Sequence, residues 1–130
     1  MKISETLIEL FEEELSGRYA IQSELDDIIN KYEAQGMACW IYLKGNKAIE
    51  VASIKIKDKT QRRKGLGTSL MTEIAGLCDK YELLCVLTPD NSESSMTGLL
   101  RFYKSFGFVS NTGRNKDFTY RNSMIRYPKS

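Results

Sequence analysis

The stretch "QRRKGLGT", residues 61–68, sets Arg62, Arg63 and Lys64 against two glycines and a threonine. Three adjacent cations repel one another and make poor core material. Two glycines one residue apart make a poor helix start unless the backbone itself has work to do there. Apolar periodicity resumes at once, with Leu70, Ile74, Leu77, Cys78 and Tyr81 at helical spacing, so the turn opens a helix. Unpaired amides of a first helical turn converge on one point, and the macrodipole adds about half a positive charge there. Gly65 and Gly67 let that backbone approach a ligand with no Cβ in the way. Arg62, Arg63 and Lys64 add long-range attraction and pairing capacity, and the expected ligand is a phosphate or pyrophosphate. The spacing is neither a Walker A loop nor a complete dinucleotide fingerprint, which needs a third glycine.

What is missing narrows the chemistry further. The chain has no histidine, so no Ser-His or Cys-His nucleophile can be assembled. Cys39, Cys78 and Cys85 are odd in number, lack CxxC spacing and sit among apolar neighbours; they read as small buried hydrophobes and not as metal ligands.

The elements that must hold this turn come from period and punctuation. The 130 residues are expected to form one domain spanning 1–130, with 42% hydrophobic and 28% charged residues in an ordinary balance. No apolar run approaches the ~18 residues of a membrane span, and a glutamate-rich start argues against a secretion signal, so a cytoplasmic protein is expected. Helices are expected over about 3–15, ended by Gly17, and from Ser23 as N-cap to Gly36. "MACWIYLKGNKAIEVASIKIK" switches to alternation around a hairpin turn. The wholly apolar "ELLCVLTP" then reads as a strand covered on both faces, so strand, Gly-rich turn, helix and strand form a right-handed parallel crossover. Leu99, Phe102, Tyr103 and Phe106 mark a further helix stopped by Gly107. "FGFVS" starts a strand, and "FTYRNSMIRYP" is expected to be a closing strand with Phe118, Tyr120 and Met124 on it.

Charge is uneven along this frame. Residues 1–36 hold nine acids against three bases, −6, so the remainder carries +8 for a net +2. An anionic and a cationic ligand meeting on one domain would suit that split, as would an acidic helix surface simply facing water.

Two motifs resemble the GCN5-related N-acetyltransferases. "RRKGLGT" is similar to the family's Arg/Gln-x-x-Gly-x-Gly/Ala turn, with Arg62, Gly65 and Gly67 at its fixed positions. "LLRFYKSFGFV" resembles the later helix that ends in Tyr-x-x-x-Gly-Phe, here Tyr103, Gly107 and Phe108, and the tail "GRNKDFTYRNSMIRYP" is similar to small phage- and plasmid-borne members. The resemblance implies an α/β (α+β) fold: a mixed, mostly antiparallel sheet with splayed central parallel strands flanked by helices, its N-terminal part trimmed.

It also implies acetyl-coenzyme A as acyl donor, its pyrophosphate held by backbone amides of Arg63, Lys64, Gly65, Leu66, Gly67 and Thr68. The pantetheine arm would run along Ile54, Ile56 and Lys57, with Asn91 a further cofactor contact. A backbone amide near Leu87 or Thr88 would polarise the carbonyl. Tyr103 occupies the family's acid position; a phenol of pKa ~10 can protonate a thiolate leaving group of pKa ~8.5. Its other reading is a core residue on the apolar stripe of its helix. Glu50 and Glu82 are the available carboxylates for a base, each also readable as a solvated strand-end acid.

The expected partners are acetyl-CoA and an amine acceptor, with a host protein as a further possibility and no nucleic acid, membrane or metal; the assembly would be a monomer or homodimer. The acidic first helices would wall the acceptor site for a cationic amine, so reversing Glu12, Glu13 and Glu14 would raise the acceptor KM. The rival reading is a catalytically silent acyl-CoA-binding or interaction module of the same fold.

Overall fold

The computed structural model describes residues 5–45, 47–57, 65–91 and 95–129, with the side chains of Glu5 and Asn115 excepted. Helix α1 is Glu5–Glu33, followed by strands β1 Met37–Lys44 and β2 Ala48–Ile56, helix α2 Leu66–Lys80, strand β3 Leu84–Leu87, helix α3 Met96–Lys104, and strands β4 Val109–Ser110 and β5 Met124–Arg126. One sheet of five strands has the order β1-β2-β3-β5-β4. Only the central β2–β3 pair is parallel, joined through α2; the other neighbours are antiparallel. This is the mixed α+β architecture that the sequence motifs implied, with two strands ahead of the glycine turn.

Alternation along the strands sorts the sheet into two faces. Ile41, Ile49, Val51, Cys85, Leu87 and Met124 join Leu70, Met71, Ile74, Leu77 and Cys78 of α2, and Ile21, Leu25 and Tyr32 of α1, in one buried cluster. The intervening residues, among them Trp40, Tyr42, Glu50 and Val86, point to the opposite face.

The expected break at Gly17 does not occur: α1 is a single 29-residue helix. An interior glycine costs a helix about 1 kcal/mol, which twenty-eight other helical residues outweigh, and no local hydrogen bond forces an exit. Gly36 is the true stop, because it takes φ 92°. There its carbonyl accepts the Lys57 amide at 2.7 Å, tying the end of β2 to the end of α1. Two matched clusters fasten α1 to α2: Tyr32 and Lys31 on Glu73, and Tyr81 and Lys80 on Glu24.

The closing strand is also shorter than expected. Only Met124–Arg126 pairs, and Phe118 is 83% exposed. Buried Asn111 explains this. Its Oδ1 accepts the Asp117 amide at 2.7 Å, and its Nδ2 donates to the Asn122 carbonyl at 3.1 Å. One side chain thereby takes backbone groups that a strand neighbour would have used. Among the described residues, no helix is long and apolar enough to cross a membrane.

Candidate active site

Strands β2 and β3 run in register from Ala48↔Leu84 to Val51↔Leu87 and then part. The cause is visible on the other side of β2. Trp40 pairs with Ser53 but Ile41 pairs with Val51, so Ala52 is an extra residue, a β-bulge. Bulges bend a strand and increase its twist. This one sits directly after the last parallel pair and swings the rest of β2 away from β3. The strand continues to Ile56 with β1 on one edge and, among the described residues, no strand on the other.

A cleft of about 200 Å³ fills the gap. Its walls are β2 from Val51 to Ile56, the β3 end at Leu87 and Thr88, Gly67 of α2, and Leu99, Phe102 and Tyr103 of α3. The free edge of β2 offers backbone groups to an extended ligand, as an added strand would meet them. Ile54 and Ile56, expected along a pantetheine arm, line it. Lys57 does not, and its amide is already bonded to Gly36.

The N-terminus of α2 borders the same space. Gly65 caps it at φ 74° with no side-chain cap, and the first intrahelical bond runs from the Ser69 amide to the Gly65 carbonyl at 2.9 Å. The amides of Leu66, Gly67 and Thr68 therefore have no intrahelical acceptor among the described residues. A Cβ on Gly67 would meet Phe102 at 3.7 Å, an ordinary contact, so packing does not require glycine there. Leu66 anchors the turn with a buried side chain, whereas Thr68 is exposed. Arg62, Arg63 and Lys64 lie outside the described residues. Asn91 lies exposed past the end of β3 and does not line the cleft.

Tyr103 is 7% exposed and borders the cleft. Its ring packs edge-on against Phe102 and Phe108, at 5.1 and 5.8 Å between centroids. No hydrogen bond of its hydroxyl to another described residue accompanies this packing, and the residue lines the cleft. Burial, with a smaller contribution from Cys85, raises its pKa above the ordinary phenol value. It is a proton store that stays filled at neutral pH.

Of the two carboxylates weighed as bases, neither lines the cleft. Glu50 Oε2 accepts from Asn122 Nδ2 at 2.8 Å, and Oε1 lies 3.1 Å from Lys44 Nζ. The Asn122 hydrogen bond, and then Lys44, hold its pKa below the usual carboxylate value. It is built to stay ionised. Glu82 sits at φ 55° in the turn between α2 and β3. The acidic helix α1 contributes no residue to the cleft, against the expectation that it walls an acceptor site.

Sequence reasoning missed Ser53 and Asp90, which both line the cleft. Ser53 was hidden by the bulge, which shifts the alternation by one. Asp90 carried a signal, as the first charged residue after an apolar strand, but "TPDN" reads equally as turn chemistry.

Among known proteins, no family model and no curated protein matches this chain. A solved structure of Ard1 from Thermoplasma volcanium is similar at 23% identity and a TM-score of 0.46, over 71% of this chain. The match spans 62% of the length of that chain. At that overlap the likeness carries no argument, and the functional reading rests on the geometry above.

Proposed function

We propose that this chain is an acetyl-coenzyme A-dependent N-acetyltransferase acting on a primary amine. One observation carries the reading: a bulge at Ala52 opens a cleft that joins a strand edge unpaired among the described residues, a glycine-capped helix N-terminus and the buried residue Tyr103.

The chain's groups suit such a donor in sequence. The amides of Leu66, Gly67 and Thr68, with the cationic residues 62–64 ahead of them, would hold the diphosphate. The free edge of β2 at residues 52–56 would pair with the amide-bearing arm. That places the thioester near the apex of the cleft, where Val51 and Leu87 part and where backbone amides can polarise its carbonyl. Bound there, the co-substrate supplies an activated acetyl group. A neutral amine attacks the carbonyl carbon, a C–N bond forms and the C–S bond breaks. Tyr103 gives its proton to the departing sulfur, and the amine's surplus proton passes to solvent. Holding both partners in place supplies much of the acceleration in such direct transfers.

The test is calorimetry with acetyl-CoA and with free coenzyme A, followed by thiol release with a panel of amines. Saturable binding with amine-dependent thiol release supports the reading. Binding without release, in both the native chain and Tyr103→Phe, would leave a silent acyl-CoA-binding module. No heat from either ligand would remove the assignment.

A further inference from the structure

The cleft has a second approach, from the sheet face that the helices leave bare. On β1, Ile41 and Leu43 point toward the helices, so Trp40 and Tyr42 point the other way, 47% and 50% exposed. Register places Tyr42 directly opposite Glu50, and Trp40 opposite Ser53. Side chains so paired share a face, with Cβ atoms about 5 Å apart. Ser53 itself borders the cleft, one residue from the bulge. Two half-exposed aromatic side chains and one partly buried carboxylate thus share this face beside the cleft.

This is the chemistry that holds an organic cation. Ring faces attract an ammonium through their quadrupole, and a nearby carboxylate supplies the countercharge. The chain already puts an ammonium there: Lys44, with its side chain 45% exposed, sits 3.1 Å from Glu50 Oε1. Asn122, 7% exposed, holds Oε2 from behind, so the carboxylate keeps its position whether or not Lys44 stays.

We propose that Trp40, Tyr42 and Glu50 form the acceptor-binding wall, selecting an amine substrate that carries an additional positive charge beside the reacting nitrogen, such as a polyamine. The inference rests on the acetyl-transfer reading for the fate of the amine, but not for its binding. Glu50 acts here as a countercharge and not as a proton acceptor, and Lys44 is an internal competitor that the ligand displaces.

Trp40 is the chain's single tryptophan, so its fluorescence reports on this wall alone. The full-length protein, without cofactor, is titrated with spermidine, and in parallel with neutral 1,8-octanediol of similar length. A saturable change with spermidine and none with the diol is expected. Glu50→Gln, which keeps an acceptor for Asn122, and Tyr42→Ala should each weaken binding about tenfold. Lys44→Met should tighten it, an effect that no merely structural role predicts. The proposal is overturned if spermidine gives no saturable change, if the diol matches it, or if Lys44→Met leaves the affinity unaltered or weaker. Calorimetry with acetyl-CoA separates the two readings: amine binding without cofactor binding sinks the enzyme assignment and spares the wall, and the converse sinks the wall alone.

Discussion

At the scale of single residues, the proposed reading gives Tyr103 two purposes that substitution can separate. Its ring belongs to the core, between Phe102 and Phe108, while its hydroxyl has no partner among the described residues. Tyr103→Phe keeps the ring and removes the proton. The thermal midpoint should therefore barely move, and calorimetric affinity for acetyl-CoA should hold, while kcat falls by roughly 10²–10⁴ as expected for loss of a positioned acid. An equal loss of affinity would mean that the hydroxyl binds and does not catalyse. That Tyr103 and Gly67 border one cleft was legible because each belongs to a short run whose spacing is constrained locally. The neighbourhood of Ser53, Trp40 and Tyr42 was not, because it forms only after β1 pairs with β2 and a bulge shifts the register. Asn111 was hidden for a related reason: nothing in its neighbours signals a buried amide that organises residues 111–122.

At the scale of elements, the α2 N-terminus sets its two glycines in different backbone conformations. Gly65 holds φ 74°, where a Cβ strains the backbone even though space around it is open. Gly65→Ala should destabilise the fold by about 1–2 kcal/mol, read in a urea melt, with or without ligand. Gly67 sits inside the helix, with room for a methyl against Phe102. Gly67→Ala should leave stability unchanged or raised by up to about 1 kcal/mol, because alanine favours helix. It should still weaken acetyl-CoA binding about tenfold, the loss of roughly one good hydrogen bond to the diphosphate. If Gly67→Ala binds as tightly as the native chain, the helix N-terminus is not the diphosphate site. The same elements show where periodicity serves and where it fails. The hairpin, the crossover through α2 and the helix before Gly107 were all readable, since their apolar spacing and turn residues agree. The reading of two helices, about 3–15 and Ser23 to Gly36, failed because a glycine signals flexibility but not direction. Gly17 sits quietly inside a helix, and Gly36, at φ 92°, ends it.

At the scale of the whole molecule, charge and burial decide what the termini do. The acidic half of α1 contributes nothing to the cleft, and exposed charges are screened beyond about 8 Å at physiological salt. Reversing Glu12, Glu13 and Glu14 together should therefore leave the acceptor KM unchanged, contrary to what sequence charge alone implies. The chain's other end is bound more tightly. Arg126 is 3% exposed on β5, yet it pairs both terminal guanidinium nitrogens with Asp79 at 2.8 and 3.0 Å and donates Nε to the Phe106 carbonyl at 2.7 Å. Asp79 also accepts the Lys129 amide at 2.8 Å, so the Asp79–Arg126 pair joins the end of α2, the turn after α3, β5 and the tail. The Arg126 hydrogen bonds hold its pKa below the ordinary aspartate value. A depressed carboxyl stabilises the fold fully above its unfolded pKa of about 3.9, and that contribution is lost as pH falls through the folded value. Asp79→Asn should thus cost on the order of 3 kcal/mol at pH 7, where it strands a buried guanidinium, and the difference from the native chain should shrink as pH drops below 4. Urea melts of both chains from pH 7 to pH 2.5 measure this directly. Parallel curves over that range would mean that Arg126 finds other partners and that the network does not hold β5 to the helices.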